Sequence, residues 1–366
     1  MNCKDIGPPD AKVMLIGEAP GEHEERTGIP FVGSSGKLLK QMLSHSGIRY
    51  QDCFVTNVMP VRPPNNDFRY FYNSGMPSKA LEDAIHVLRG KIESIHPQVV
   101  IPLGNEPLKA VCNKTPISAY RGTWLSYRGI NVLPTYHPSY IMRVYQDHPI
   151  VELDLKKAVC NKPKPLPKPI LSPSVEQVAK WIDKVIRLNK RVAFDLETVE
   201  KTIRCVGLAA KDEAPICIPF ISFASSQMTS VGDSVVKIGS NRSSDLSNYW
   251  TANEEVEVVT LLNKMFRSVS IVGHNSVMFD APLLHRNFKI VIKNHFMDTM
   301  NAWHCLYSEL PNSLSFLTSV LTDYPNYWTG KDTADDISEW NYNSADAQVT
   351  LDVSFIIERE LKETLL

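Results

Sequence analysis

A run of alternating lysine and proline near the middle of the chain limits the fold more than any other feature. It occupies residues 162–169 and reads Lys-Pro-Lys-Pro-Leu-Pro-Lys-Pro. Proline fixes its own φ angle and lacks a backbone N–H, so this run cannot lie inside a helix or a central strand. Such sequences favour an extended, semi-rigid spacer. Because 366 residues are many for one hydrophobic core, we expect two domains, residues 1–160 and 174–366, joined by a linker at 161–173.

The net charge, the cysteine spacing and the lack of long apolar runs argue against a strongly basic protein, a disulfide-linked protein and a membrane protein. The net charge of −1 gives no overall basic surface, although residues 1–160 carry 18 Lys+Arg against 15 Asp+Glu (net +3) and the rest 21 against 25 (net −4). The seven cysteines are scattered and form no Cys-x-x-Cys pair, which indicates reduced thiols rather than a disulfide framework. The sequence contains no signal peptide and no apolar run of membrane-spanning length. We therefore expect a cytoplasmic protein with no membrane partner.

In the first half of the chain, hydrophobic strands alternate with helical segments, and polar residues follow the strands. The predicted strands are residues 12–17, 53–56, 98–104 and 130–133. This alternation predicts an α/β sheet, and such sheets bind ligands in the loops at the carboxyl ends of their strands. The loops after these strands carry Glu18, Asn57 and His137.

Three short segments of the second half bring together four carboxylates. The segments are Phe-Asp-Leu-Glu-Thr (194–198), His-Asn-Ser-Val-Met-Phe-Asp (274–280) and Tyr-Asn-Ser-Ala-Asp (342–346), and the carboxylates are Asp195, Glu197, Asp280 and Asp346. Four hard oxygen ligands without His or Cys suit Mg²⁺ or Mn²⁺ rather than zinc. Two such ions about 4 Å apart can hold the attacking and leaving oxygens of a phosphodiester.

The spacing of the four carboxylates and of Tyr342 allows their side chains to lie close together in the folded chain. Asp195 and Glu197 are two residues apart in a predicted strand and therefore share a face. Asp280 follows an apolar strand and opens a helix with proline in its first turn. Tyr342 and Asp346 are four residues apart and project from one face of a predicted helix.

The order of these motifs resembles the DEDD-type 3′→5′ exonucleases of the tyrosine subclass. The resemblance implies a ribonuclease H-like domain with a mixed sheet, in which Asp195, Glu197, Asp280 and Asp346 hold two Mg²⁺ or Mn²⁺ ions. It also implies that Tyr342 orients the attacking water and that Asn275 helps to place the DNA 3′ end. Residues 297–300 and 323–328 look like the proofreading domain of family A DNA polymerases. Since no polymerase domain follows, we expect the polymerase to be a missing C-terminal part or a separate chain.

Nearly all of residues 10–145 resemble the family 4 uracil-DNA glycosylases. The matching residues are Gly17-Glu18-Ala19-Pro20-Gly21, Gly28 to Gly33, Thr56-Asn57, Arg62-Pro63-Pro64 and His137-Pro138-Ser139-Tyr140. The resemblance implies a parallel-sheet sandwich that flips a base out of DNA and cleaves its N-glycosidic bond.

The family also implies a role for each matching side chain. Phe31 would stack on the flipped uracil, and the amide of Asn57 would read its Watson–Crick edge. His137 would stabilise the departing uracil anion. Glu18 is the first candidate to position the water and offset the oxocarbenium charge, and Glu24 is the second.

Further candidates for substrate contact follow two of these motifs. Asn66 lies beyond the Arg-Pro-Pro motif. Ile141, Met142 and Arg143 follow the His-Pro-Ser-Tyr motif and are candidates for the wedge that fills the vacated base stack.

The first half departs from this family in its cysteines. Family 4 enzymes hold a 4Fe–4S cluster with four cysteines, one of them directly before Arg-Pro-Pro, where this chain has Val61. No cysteine lies between Cys53 and Cys112, and the N-terminal pair is reduced to Cys3. We therefore expect no 4Fe–4S cluster.

The sequence thus predicts a two-domain DNA repair or replication protein that excises uracil and removes 3′-terminal nucleotides. Its partners would be DNA and a DNA polymerase, and its resemblances favour a bacteriophage protein acting in the host cytoplasm. Two alternatives stay open: the first domain binds uracil or DNA without cutting, or the chain is a polymerase accessory whose sites are degenerate.

Overall fold

The computed structural model describes residues 2–223, 246–329, 331 and 335–364. It divides into two compact units. The first unit comprises Met1–Pro165 with Asp323–Asn326, and the second comprises Leu166–Thr322 with Tyr327–Leu366. The division after Pro165 falls inside the lysine- and proline-rich run.

The first unit is built on a five-stranded sheet with the order β2-β1-β5-β7-β6. Its strands are β1 (Val13–Gly17), β2 (Cys53–Asn57), β5 (Val99–Pro102), β6 (Leu125–Tyr127) and β7 (Ile130–Val132), and a small hairpin consists of β3 (Tyr72–Asn73) and β4 (Met76–Pro77). All pairs in the main sheet are parallel except β6 with β7. The carboxyl ends of four strands therefore meet at one edge.

Helices cover both faces of this sheet. They are α1 (Glu22–Thr27), α2 (Ser34–His45), α3 (Lys79–Ile95), α4 (Asn105–Cys112), α5 (Ile117–Tyr120), α6 (Pro138–Ile141) and α7 (His148–Cys160). Alternate residues of a strand point to opposite faces. Accordingly, Leu15 joins the core that contains residues of α2 and α7, whereas Met14 and Ile16 join the core that contains residues of α3 and α4.

A buried ion pair ties α7 to the loops of the first unit. The Asp154 carboxylate accepts hydrogen bonds from the Arg121 guanidinium and from Thr135 Oγ1, the latter at 2.7 Å. The Arg121 and Asp154 side chains are 4% and 1% exposed. Lys157 Nζ donates to the carbonyl oxygen of Gly122 at 2.7 Å, so two buried cations lie beside one carboxylate.

The second unit has a mixed sheet with the order β10-β9-β8-β13-β14. Its strands are β8 (Val192–Val199), β9 (Thr202–Ala210), β10 (Ile216–Pro219), β13 (Ile271–Gly273) and β14 (His295–Asp298), and β11 (Ile221–Phe223) pairs with β12 (Leu246–Asn248). The β8–β9–β10 part is antiparallel, whereas β13 is parallel to both β8 and β14.

In the described part of the second unit, six helices surround this sheet. They are α8 (Val175–Arg187), α9 (Ala252–Ser268), α10 (Asp280–Phe288), α11 (Thr299–Leu306), α12 (Leu314–Leu321) and α13 (Asp336–Thr364). α8 begins with a capping box between Ser174 and Gln177. α13 lies close to the sheet because small residues face it, and a Cβ added at Gly207 would lie 2.6 Å from the carbonyl oxygen of Asn343.

The predicted fold class is confirmed: both units are α/β, the first with a largely parallel sheet and the second with a mixed sheet. Among the described residues, no helix is both long and apolar enough to span a membrane.

Replacing Asp154 by alanine tests the buried ion pair. It leaves the Arg121 guanidinium buried without its carboxylate, which we expect to lower the free energy of unfolding of the first unit by about 3–5 kcal/mol. The measurement is the urea dependence of amide hydrogen exchange in β5 and β7 of the full chain. The matched control is Asp52→Ala, which breaks an exposed pair with Arg49 and should cost at most about 1 kcal/mol. Equal effects of the two variants would contradict this account.

Candidate functional sites

The first site forms where β1 and β2 end side by side. Gly17 and Asn57 are partners in the strand register. A Cβ added at Gly17 would lie 2.3 Å from Asn57 Oδ1 and 2.7 Å from Phe31 Cζ. The Asn57 amide and the Phe31 ring therefore converge on the space above Gly17, where a side chain would block both.

Glu24 fixes the loop that carries Phe31. Its buried carboxylate oxygen Oε1 accepts hydrogen bonds from the backbone N–H groups of Val32 at 3.0 Å and Gly33 at 2.9 Å. Phe31 itself has φ of 53°, in the left-handed region that a bulky residue rarely adopts. Glu24 is therefore engaged with the backbone amides of the loop that carries Phe31. Its role as the second candidate to position the water stays a prediction.

His137 lies beside the Phe31 ring, and Ser139 holds one of its ring nitrogens. Its Nδ1 accepts a hydrogen bond from the Ser139 backbone N–H at 3.2 Å and lies 2.7 Å from Ser139 Oγ. Because an amide N–H can only donate, the neutral ring carries its proton on Nε2. Burial, reinforced by Arg143, lowers the pKa of His137 to about 4, so the ring is neutral at pH 7. The His137 and Phe31 ring centroids are 6.2 Å apart.

Glu18 follows β1 and has a strongly perturbed carboxyl group. Burial raises its pKa to about 7, and repulsion from Glu106 and Asp67 adds to this effect. The side chain is half-buried. Catalytic acids and bases are often carboxyl groups that lie in a cleft and titrate near neutral pH.

The other predicted contacts of the first domain lie outside this pocket. Asn66 is exposed in a short turn and has φ of 59°. Arg143 and Met142 are exposed and remain wedge candidates. Ile141 is wrong as a wedge residue, because its side chain is fully buried in the core with α2 and α7.

The cysteines of the first unit are isolated thiols. Cys3 and Cys53 are buried, and burial raises the pKa of the first to about 11 and of the second to about 12. In the described ranges, no cysteine belongs to a group of three or more metal-binding side chains. The absence of a 4Fe–4S cluster, inferred from Val61 and the cysteine spacing, stays a prediction.

The second site lies between β8 and α13. Oxygen atoms of Asp195, Glu197 and Asp346 all lie within 4.8 Å of one another. Burial raises the pKa of Asp195 well above its ordinary value, and the charges of Asp346, Asp280 and Glu197 raise it further. Burial likewise raises the pKa of Asp346 to about 7. We call these three residues the carboxylate cluster.

Asp280, the fourth predicted ligand, lies beside the carboxylate cluster and not within it. It is the first residue of α10 and is buried. Burial raises the pKa of its carboxyl group to about 7, while a hydrogen bond from the Leu196 backbone N–H opposes this change. The predicted strand and helix placements of the four carboxylates are thus found, but three of them form the tight group.

Sequence reasoning missed three side chains that hold the carboxylate cluster. Tyr327 OH donates to Asp346 Oδ1 at 2.6 Å, and Asn343 Nδ2 donates to Asp195 Oδ2 at 2.8 Å. Lys331 Nζ lies 2.6 Å from Glu197 Oε1 and 4.0 Å from the centroid of the Tyr342 ring. Tyr342 also hydrogen-bonds Asp346, as its predicted i, i+4 spacing allows.

Asn275, the predicted contact for a DNA end, lies in a loop held by Asp298. Its backbone N–H donates to Asp298 Oδ1 at 3.0 Å, and the Val277 N–H donates to Oδ2 at 3.2 Å. Asn275 has φ of 55°, which asparagine tolerates better than most residues. The backbone that carries the half-buried Asn275 side chain is therefore held in place by Asp298.

The donor set of the second site fits divalent metal ions. All three ligands of the carboxylate cluster are hard oxygen donors, and within the described part of the chain no His or Cys joins them. Burial raises the pKa of Asp195, the negative charges of its neighbours raise it further, and a bound cation would offset that repulsion.

Two of the matches to known proteins cover more than half of this chain. The DNA polymerase of Bacillus phage SP01 is 24% identical over 324 residues, which cover 81% of this chain and 33% of that protein. A crystal structure of the EXD2 exonuclease domain soaked in Mn and GMP aligns with 54% of this chain and 94% of its own, at 12% identity and a TM-score of 0.24.

Comparisons of the first unit are more specific. The sequence model of the uracil DNA glycosylase superfamily matches residues 4–161. The type-4 uracil-DNA glycosylase of Thermotoga maritima is 40% identical over 140 residues, covering 37% of this chain and 68% of that enzyme. The corresponding enzyme of Archaeoglobus fulgidus is 32% identical over 171 residues, covering 44% of this chain and 82% of that enzyme. The chain therefore belongs, through its first unit, to the uracil-DNA glycosylase superfamily, with type-4 enzymes as its relatives.

Proposed function

We propose that this chain excises uracil from DNA with its first unit and removes nucleotides from DNA 3′ ends with its second. In this proposal residues 1–160 are the glycosylase domain, 161–173 the linker and 174–366 the exonuclease domain. The observation that carries the first activity is the convergence of Phe31 and Asn57 beside Gly17, with the His137 ring centroid 6.2 Å from that of Phe31, in a segment of the glycosylase superfamily. The observation that carries the second is the carboxylate cluster.

In the glycosylase site, Phe31 stacks on the flipped uracil while the Asn57 amide pairs with its edge. The N-glycosidic bond breaks and its electron pair leaves with the base. The Nε2–H of the neutral His137 donates to uracil O2 and stabilises the negative charge that develops there. This requires the tautomer that the contact between Nδ1 and the Ser139 N–H selects.

Glu18 and Glu24 have different tasks in this mechanism. The ionised Glu18 carboxylate offsets the positive charge of the oxocarbenium ion and positions the water that attacks the sugar. Glu24 acts through Phe31, since its hydrogen bonds to Val32 and Gly33 hold the loop of the stacking ring. Asn66 and Arg143 are proposed to contact the DNA strand around the pocket.

In the exonuclease site, Asp195, Glu197, Asp346 and Asp280 would hold Mg²⁺ or Mn²⁺. When bound there, such ions would supply the positive charge that lowers the pKa of a water and stabilises the leaving oxygen of a phosphodiester. Asn343 and Tyr327 keep Asp195 and Asp346 in place before any ion arrives. Tyr342 orients the attacking water, and Asn275 contacts the 3′-terminal nucleotide.

Both activities fit a role beside a DNA polymerase. The similarity of most of this chain to a third of a phage DNA polymerase supports that context. The polymerase partner would be encoded in the same polypeptide or in a separate one, in a phage-infected cell.

Single-turnover uracil release from the full chain tests the glycosylase residues. Asn57→Asp should slow release about 100-fold, or about 3 kcal/mol, because it loses a donor and puts a charge next to the departing anion. His137→Ala should slow release while leaving DNA affinity nearly intact, since its hydrogen bond strengthens as uracil departs. Phe31→Ala should weaken binding by about 1–3 kcal/mol with less effect on base choice.

The matched controls are Asn73→Asp and His86→Ala, which alter exposed residues of the same unit and should behave like the parent. If parent and variants all fail to release uracil while the parent prefers uracil-containing DNA, the first unit is a reader of uracil and not an enzyme.

The pH dependence of uracil release should follow Glu18. With its pKa raised to about 7, the carboxyl group becomes protonated as the pH falls through that value, and the rate should then fall about tenfold per pH unit. His137, with a pKa near 4, stays neutral between pH 5 and 9. Glu18→Gln should give a slow rate that does not change with pH across this range. A parent profile that is flat from pH 5 to 9 would contradict the role of Glu18.

Exonuclease activity should require the carboxylate cluster. Asp195→Ala combined with Glu197→Ala should reduce shortening of a 5′-labelled single strand by at least about 100-fold. The control is Glu176→Ala with Asp183→Ala, which removes two exposed carboxylates of α8 in the same unit. Digestion by the first double variant at the control's rate would refute the site assignment.

A further inference from the structure

The segment at residues 3–6 pairs with the outer edge of β2 and has no task in the proposed reaction. The Ile6 N–H donates to the Val55 carbonyl oxygen at 3.1 Å, and the Val55 N–H donates to the Ile6 carbonyl oxygen at 2.8 Å. Gly7 follows with φ of 113°, and a Cβ there would collide with the carbonyl oxygen of Cys53. Glycine at this position therefore lets the chain come this close to β2. We call residues 3–6 the N-terminal strap.

Backbone hydrogen bonds join the N-terminal strap to two loops of the first site. The Lys4 N–H donates to the carbonyl oxygen of Gly28 at 2.9 Å. Gly28 caps the C-terminus of α1 and lies three residues before Phe31. The Cys3 N–H donates to the carbonyl oxygen of Pro60 at 2.8 Å, in the loop that follows β2. The strap therefore ties the loop of the stacking ring to the loop after β2.

A side-chain link adds the end of β2 itself to this arrangement. Thr56 Oγ1 donates to Asp5 Oδ1 at 2.6 Å, and Asp5 Oδ2 lies 2.7 Å from Lys91 Nζ on α3. The Asp5 and Lys91 side chains are each 31% exposed, whereas Thr56 is 2% exposed. A hydrogen bond to an ionised acceptor is stronger than one between neutral groups. Asp5 therefore holds the buried Thr56 hydroxyl firmly and is itself held by α3.

Thr56 directly precedes Asn57, the amide that is proposed to pair with uracil. Asn57 Oδ1 and Phe31 Cζ approach the same point, which a Cβ of Gly17 would occupy. Successive side chains of a strand point to opposite faces. A hydrogen bond that fixes Thr56 to the strap therefore also fixes the direction in which the Asn57 side chain leaves β2.

We propose that the N-terminal strap positions the uracil pocket, and that Asp5 fixes the Asn57 amide through Thr56. This inference rests on the proposed glycosylase function. Asp5 and Thr56 are positioning residues, because they act through Asn57. A misplacement of about 1 Å can slow a reaction about 100-fold, so the strap matters for the rate even at a distance from the reacting bond.

Single-turnover uracil release by the full chain tests the two ends of the side-chain link. Thr56→Val removes the hydroxyl with little change in shape, whereas Thr56→Ser keeps it. Asp5→Ala removes the acceptor, and the matched control Asp10→Ala removes an exposed carboxylate five residues further along. The affinity for uracil-free DNA is measured for each variant, and amide hydrogen exchange in β5 reports whether the first unit is folded.

Thr56→Val and Asp5→Ala should each slow uracil release about tenfold or more, because the amide is no longer held in place. Their affinity for uracil-free DNA should stay within about twofold of the parent, since the strap acts on the base pocket. Thr56→Ser retains the donor and should release uracil within about threefold of the parent rate. Asp10→Ala should match the parent in both quantities.

A double-variant cycle separates positioning from a general loss of stability. In the Asn57→Ala background there is no amide left to position, so adding Thr56→Val or Asp5→Ala should slow release no further. Additive slowing in that background would overturn the inference. So would release by Thr56→Val at the rate of Thr56→Ser.

Two further outcomes have a defined meaning. If Asp5→Ala does not fold, the Thr56 variants and their cycle decide the question. If the parent releases no uracil, the proposed glycosylase activity fails, and preference for uracil-containing DNA then replaces the rate in the same comparison. A parent without that preference overturns the inference as well.

Discussion

The carboxylates of Asp195, Glu197 and Asp346 repel one another within 4.8 Å, and the second unit is arranged to hold them there. β8 presents two of them on one face, and α13 brings the third against that face. This approach depends on Gly207, where a Cβ would meet the backbone of Asn343. Asn343 and Tyr327 then hold Asp195 and Asp346 by hydrogen bonds. Burial and, after it, the charges of the neighbouring carboxylates raise the pKa of Asp195, and a cation bound at the carboxylate cluster would offset this repulsion.

In the proposed glycosylase reaction of the first unit, negative charge develops on the leaving base. Burial lowers the pKa of His137, and the hydrogen bond from the Ser139 amide selects the neutral tautomer that carries its proton on Nε2. Glu18 is the group whose ionisation changes near neutral pH. Under the proposed function, the second unit gathers carboxylates that a metal ion would neutralise, whereas the first unit keeps the hydrogen-bond donor His137 neutral.

Much of this arrangement follows from sequence periodicity. The i, i+2 spacing of Asp195 and Glu197 and the i, i+4 spacing of Tyr342 and Asp346 are local rules, and both elements form as predicted. The parallel strands of the first unit also follow from their buried apolar runs. Local rules therefore account for which elements carry the candidate side chains.

Contacts between distant segments could not be predicted in this way. Tyr327 and Lys331 reach the carboxylate cluster from a loop, where no periodicity marks a facing side chain. Glu24 binds the backbone amides of Val32 and Gly33, and nothing in its own short motif marks those contacts. Ile141 follows the His-Pro-Ser-Tyr motif in sequence, yet its side chain is buried in the core. In each case the contact lies outside the motif or depends on how a helix is rotated.

The most direct test of two separate chemistries is one gel with one substrate. A 5′-labelled single strand with an internal uracil is incubated with the full chain in Mg²⁺ or in EDTA and then treated with alkali. We expect a ladder shortened from the 3′ end in Mg²⁺, and in EDTA an intact strand that breaks at the uracil after alkali. The Asp195→Ala, Glu197→Ala variant in Mg²⁺ should reproduce the EDTA pattern. Loss of the alkali-sensitive break in EDTA, or a ladder that persists there, would contradict the account.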